Sequence, residues 1–358
     1  MKIGLLTFHN AHNYGAMLQC YALQQYLRKC GHLVDVIDYR PSFYRDQYRY
    51  RSLFQCLRWN IFHLLMGVYY NYILYNRRCS AFNDFLREYI HTTKETFVIP
   101  EHYDAYIVGS DQIWNPVITN GFHDVYFCKF FFSKDSRKYI SYAPSMEIKQ
   151  LSFSEKMYLQ EALTQFDSIS VREDSVIPLL KPLTDKTIVQ VCDPVLLGGV
   201  SIWKAMTKVR LIRYPYVVIY QIRETTDAMV LAERIAHQIN GRVVVLTARI
   251  DKKYETKYQA ASPADFVNYI YYADFVITTS FHGCAFSILF NKSFYAFKLG
   301  DNFDARSISL LKSVGLEDRM LVPGAKISIS NIDFCPVNAR LQEIRKASRD
   351  YLNAALTN

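Results

Sequence analysis

Short runs of β-forming residues recur along this chain with helical patterns between them, and that alternation constrains its fold more than any other feature. Strands joined by helix-length crossovers lie parallel, in sheets covered by helices on their faces. "KIGLLTF" reads as the first strand, and "YGAMLQCYALQQYLRKCG" as a helix whose apolar residues recur every three or four positions before Gly31 closes it. "VDVIDY", "DAYIVG", "KYISYA", "SISV" and "TIVQV" follow as strands expected to complete one sheet. A second series begins at "YVVIYQI" and continues through "RVVVLTA", "DFVITTS" and "SFYAF", with helical patterns between. A chain of 358 residues exceeds the usual growth of a single core, so the expectation is α/β with two domains. They span residues 1–200 and 201–335, joined near 198–212, with a final helix in 336–358 that packs back on the first domain.

The first ten residues, "MKIGLLTFHN", carry one lysine, a short apolar run and no small-residue cleavage site, so they read as a strand of a cytoplasmic chain and not as a secretory signal. Eight cysteines are scattered without a CxxC pair or ligand-like spacing to histidine, which argues for free thiols and against a metal site. The formal net charge of +9 favours anionic partners. No Lys/Arg blocks, zinc-finger or RNA-binding aromatic motifs accompany it, so no nucleic acid is expected. Residues 44–79 combine many Tyr and Arg with an apolar middle from Ile61 to Tyr75, shorter than the ~20 residues that span a bilayer. Two readings stay open: a helical insertion near 44–90 packed on its own domain, or a helix lying on the anionic inner membrane face.

Polar groups cluster just after the strands, where open parallel sheets bind ligands. After the first strand comes "HNAHNYGA", in which Asn13, Tyr14 and Gly15 either contact a ligand or simply cap and admit a helix. The stretch is not GxGxxG, so it gives no dinucleotide fingerprint. His9 and His12 read as bonded to nearby backbone. "GSDQIWNP" offers Asp111, Gln112 and Trp114, a carboxylate, an amide and an aromatic ring suited to a sugar. Arg172 in "REDS" ends a strand with a planar fork of donors for an anion, or forms an ion pair with its acidic neighbours. In "TTSFHGCAF", Ser280 and His282 precede a helix expected to begin at Gly283, where free N–H groups favour phosphate or carboxylate. A titratable imidazole beside such a site can move protons near neutral pH.

Together "NYGAMLQCYALQQYL", "VGSDQIWNP", "SVREDS", "DPVLL" and "PADFVNYIYYADFVITTSFHGCAFSILF" resemble the polysaccharide pyruvyl transferase family from Met1 to about residue 320. The resemblance implies two Rossmann-like domains in a B-type glycosyltransferase-like arrangement, with a cleft between them. It implies transfer of pyruvate from phosphoenolpyruvate, as donor substrate and without a cofactor, to two hydroxyls of a sugar as a cyclic ketal. The acceptor would be a glycan or its lipid-linked precursor. His282 aligns with the histidine of the family's Arg-x-His motif, whereas Ser280 stands in place of its arginine, which turns attention to Arg306 or Arg223. Arg172 matches a first-domain active-site arginine, and Asp111 more loosely an acidic residue. A nucleotide-sugar glycosyltransferase and a non-catalytic carbohydrate-binding relative share that architecture and remain alternatives.

Overall fold

The computed structural model describes residues 1–41, 50–51, 68–131, 136–300, 304–325, 327 and 329–357. Among the described residues three sheets run parallel throughout. The first has the order β2-β1-β3-β4, from Leu33–Val36, Lys2–Leu6, Ala105–Val108 and Lys138–Ser141. β5 (Ile169–Val171) and β6 (Ile188–Gln190) form a separate pair, where the sequence suggested one continuous sheet. An isolated bridge between Ile140 and Ser168 ties that pair to β4, and the buried hydroxyls of Ser141 and Ser170 each bond the other's backbone, continuing the layer by side chains.

The second large sheet has the order β11-β10-β9-β7-β8. Its strands are Tyr216–Gln221 (β7), Arg242–Thr247 (β8), Phe275–Thr278 (β9), Phe294–Phe297 (β10) and Met320–Leu321 (β11). In both sheets the order reverses beside the first strand, between β1 and β3 and between β7 and β9. Reversal sends neighbouring crossovers to opposite faces and opens a crevice at the strands' carboxyl ends.

Helices cover the sheets: α1 (Tyr14–Lys29), α2 (Tyr75–Tyr89), α3 (Phe153–Ala162), α4 (Thr226–Gln238), α5 (Pro263–Tyr272), α6 (Phe281–Leu289), α7 (Asp304–Val314) and α8 (Phe334–Thr357). Asn13 caps α1, and Ser152 and Ser262 close capping boxes with Glu155 and Asp265 at the starts of α3 and α5. One hydrophobic cluster runs from β1 and α1 through Trp203 to α5 and α6, so the two sheets share a core. Within it Tyr14 stacks on Phe266, with ring centroids 4.6 Å apart, and donates to the Ala261 carbonyl.

Of the Tyr/Arg-rich segment, residues 42–49 and 52–67 lie outside the described residues, so both readings of that part stay as expectations. The described remainder continues through a π-helical turn (Tyr69–Leu74) into α2, whose buried Arg78 donates to the Gln259 carbonyl at 2.7 Å and to the Tyr14 hydroxyl at 3.3 Å. No described helix is long and apolar enough to cross a membrane.

α8 starts at Phe334 and lies against the first domain. Tyr351 donates to the Ser141 carbonyl, Lys138 to that of Leu356, and the Ser348 hydroxyl accepts from the Cys192 N–H. Leu352 is buried in the shared core at that contact. Leu352→Ala is therefore expected to cost about 2–5 kcal/mol of stability, measured by urea denaturation.

Candidate active site

The loops after β1, β3, β4, β5, β6 and β9 converge where the two crevices face each other. One close approach is between Gly15 of α1 and His282 of α6. Gly15, in the first turn of α1, lies directly under the His282 imidazole, and a Cβ built on Gly15 would sit 2.0 Å from Nδ1. Only a residue without a side chain lets the ring lie there.

α6 begins at Phe281, two residues earlier than the sequence suggested, so His282 is inside its first turn. Ser280 occupies the capping position, yet its buried hydroxyl does not cap, in contrast to Asn13, whose side chain accepts from the N–H groups of Gly15 and Ala16. The first turn of α6 thus keeps donors that no side chain caps, at the positive end of its dipole. Gly283 lies deeper, where a Cβ would come 2.1 Å from the Thr278 hydroxyl, so this glycine serves helix–strand packing.

His282 is buried. Burial pushes its pKa down to about 3; Asp111 opposes this, and Arg172 and Arg306 reinforce it. The imidazole is therefore neutral at pH 7. Its Nε2 lies 3.7 Å from Asp193 Oδ2, beyond hydrogen-bond reach, and has no bonding partner among the described residues.

Arg172 ends β5 with its guanidinium 4.6 Å from the centre of the Phe281 ring. Nε donates to Glu173 at 2.7 Å and Nη1 to Asp193 at 2.7 Å, while Nη2 is buried without a partner among the described residues. Burial opposes the charge, but the two carboxylates outweigh it and raise the pKa, so Arg172 stays cationic. Arg306, on α7, pairs with Glu147 of the opposite domain, which also accepts from Gln112. Burial raises the Glu147 pKa against the opposing charge of Arg306. Burial lowers the pKa of Arg223, after β7, against the opposing charges of Asp304 and Glu147.

A pocket of about 150 Å³ is lined by Arg172, Glu173, Asp193, Phe281, Arg306 and Ser309. That is about the size of an engineered cavity that admits benzene, room for a small anion of similar bulk. A wider cleft of about 570 Å³ adjoins it through Glu173 and carries Glu147, Lys149, Lys298 and Asp304.

The sequence candidates divide accordingly. His282, Arg172 and Asp111 come together, with Asp111 at φ 68° on the β3 loop and its charge felt by both partners. Gln112 and Ser280 lie beside them, while Asn13 and Gly15 shape the first turn of α1. Trp114 is a correction: it is fully buried, stacked on Phe127 and bonded to the Tyr126 carbonyl, so it offers no face to a sugar. Tyr14 is likewise fully buried between the domains and cannot touch a ligand in this arrangement. His9 bonds Thr7 and Asp38 away from the cluster, and burial lowers the pKa of His12, beside Arg78, to about 4. Glu173 is one of the acidic neighbours read from the sequence as an ion-pair partner of Arg172, and the structure forms that pair. Glu147 and Asp193 were not singled out in the sequence. Each follows a strand, so the placement argument applied to all strand ends would have found them.

The family model described as polysaccharide pyruvyl transferase matches residues 13–301. No curated protein matches the chain. Among solved structures it is similar to a putative UDP-N-acetylglucosamine 2-epimerase from Listeria monocytogenes, at 10% identity and a TM-score of 0.46, covering 98% of this chain and 88% of that one. A UDP-GlcNAc 2-epimerase from Neisseria meningitidis bound to UDP-GlcNAc has 10% identity and a TM-score of 0.43, covering 99% and 94%.

Two measurements check this geometry. Gly15→Ala puts a better helix former in α1 yet should lose about 1–3 kcal/mol in thermal or urea unfolding, because the methyl must displace the imidazole. His282 has a lowered pKa in the folded state, so its stabilising effect is complete above the unfolded value of 6.5 and declines as pH falls towards about 3. His282→Gln should therefore flatten the fall in stability with pH across that window.

Proposed function

The chain belongs to the polysaccharide pyruvyl transferase family, and from that premise we propose that it moves pyruvate from phosphoenolpyruvate onto two hydroxyls of one sugar. The observation that carries the reading is a neutral imidazole buried with two guanidinium groups and an uncapped helix start, at facing crevices of two parallel sheets. A small dianion needs such donors, and the transfer needs proton movement without redox chemistry.

Arg172 offers Nη2 to the donor's carboxylate or phosphate, and the α6 N–H groups add neutral donors for the same charge. Arg306 supplies the second cation in place of the arginine that Ser280 does not provide. Binding brings negative charge beside His282 and raises its proton affinity, so the imidazolium forms with the donor in place. Protonation of the donor's methylene carbon makes C2 electrophilic. One sugar hydroxyl adds to C2, the C2–O bond to phosphate breaks, and the second hydroxyl closes the ketal. Of the two protons the hydroxyls release, one is accounted for by the new methyl group and one by the departing phosphate. His282 serves these transfers as acid and base, and Asp111 takes a proton from an attacking hydroxyl. The acceptor is a glycan or its lipid-linked precursor in the wider cleft, and peripheral contact with an anionic membrane would place a lipid-linked one there.

The purified protein, incubated with phosphoenolpyruvate and a panel of free and lipid-linked sugars, is expected to release phosphate and leave an acceptor heavier by one pyruvyl ketal. His282→Gln and Arg306→Gln should each lower the rate by about 10²–10⁴-fold. Thermal protection by a nucleotide sugar, with none by phosphoenolpyruvate, would instead favour a glycosyltransferase.

A further inference from the structure

We propose that Asp193 is a positioning residue shared by both domains: it aims Arg172 at the ligand and supplies the carboxylate to which protonated His282 turns. The inference deepens the reading of His282 as the proton-transfer group and rests on it.

Asp193 follows β6 and its side chain is wholly buried. Oδ1 accepts the Val195 N–H at 2.9 Å, which fixes the carboxylate at the start of the short helix Pro194–Leu197. Oδ2 is left to act outward. It takes Arg172 Nη1 at 2.7 Å and stands 3.7 Å from His282 Nε2, so one oxygen faces a cation of its own domain and an imidazole of the other.

Arg172 is consequently held along two edges, by Glu173 at Nε and Asp193 at Nη1, and the unpartnered Nη2 is the donor left for a ligand. The imidazole is also constrained from two sides. Its Nδ1 edge rests on Gly15, where the α1 backbone leaves no room, and its Nε2 edge faces Asp193. A proton on Nε2 therefore meets a carboxylate within a small movement of the ring. A buried carboxylate that an imidazole can reach stabilises the charged ring, and here that carboxylate also neutralises an arginine.

The charged groups around His282 are Asp111 from the β3 loop, Arg172 from β5, Asp193 from β6 and Arg306 from α7, with Glu147 and Glu173 paired to the two arginines. Arg172 already occupies the Asp193 oxygen that this ring faces. Removing Arg172 should then release Asp193 to His282, and removing both should not.

The test follows the His282 ring by NMR in histidine-labelled protein, its resonance assigned by its absence from His282→Gln. In Arg172→Gln the ring pKa is expected to rise by about 2 units or more above wild type, into a range where it can be titrated. In the double variant Arg172→Gln/Asp193→Asn that rise should disappear. A rise that persists in the double variant overturns the proposal, because loss of the arginine charge alone would explain it. Should Arg172→Gln not fold, Arg172→Met, closer in volume, supports the same comparison. In turnover, Asp193→Asn should move the acidic limb of the kcat/KM profile by about one unit. A lower rate with an unmoved profile would mean that Asp193 acts on Arg172 alone, which also overturns the shared role. If wild type releases no phosphate from phosphoenolpyruvate, the pyruvyl transfer reading falls while the ring titration still decides the role of Asp193.

Discussion

The site depends on one close approach, the His282 imidazole of one domain seated on the Gly15 backbone of the other. That contact sets how near the two crevices come, and everything polar around it is arranged within the space it leaves. It is held from outside by apolar and hydrogen-bonded contacts. Tyr14 stacks into the second domain, Arg78 ties α2 to both domains, and Trp203 packs between Tyr21 and Phe286. A shared hydrophobic core fixes the domains more firmly than surface ion pairs would, because exposed pairs contribute little.

Within that frame the electrostatics are matched. Burying one guanidinium is costly unless carboxylates accompany it, and each arginine here has its own: Glu173 and Asp193 for Arg172, Glu147 for Arg306. The imidazole is then the group that yields. Surrounded by low-dielectric packing and two cations, it gives up its proton and stays neutral. A neutral ring among fixed charges responds strongly to any added anion, which suits a residue proposed to gain and lose a proton within one catalytic cycle.

The alternation of strands and helices was legible in the sequence because parallel strands buried on both faces leave continuous apolar runs, as in β7 and β9. The break between β4 and β5 was not, because the strands on either side are ordinary and what joins them is one isolated bridge and a pair of serine hydroxyls, Ser141 and Ser170, that no pattern marks. The rule that ligands meet strand ends pointed to His282, Arg172 and Asp111, which the structure brings together. It misled at Trp114, where residue type suggested a sugar platform and the local fold turned the ring inward against Phe127. The side on which a loop residue points is settled by tertiary packing, and that is not encoded in spacing. Asp193 and Glu147 escaped notice for a related reason: acidic residues after strands read as solvated until the arginine each neutralises is in view.

Ser280 illustrates how the position of a charge can matter more than its place in a motif. An arginine there would project from the start of α6, next to Arg172, and the site would hold three buried guanidiniums around one imidazole. With serine, the proposed second cation is Arg306 on α7, already neutralised across the domain boundary by Glu147. In the proposed reading, a donor that draws Arg306 toward itself must compete with Glu147, whose pKa burial already raises. On that reading, anion binding and the polar contact between domains would be coupled, and the carboxylate as much as the arginine would govern how readily the second domain hands its cation to a ligand.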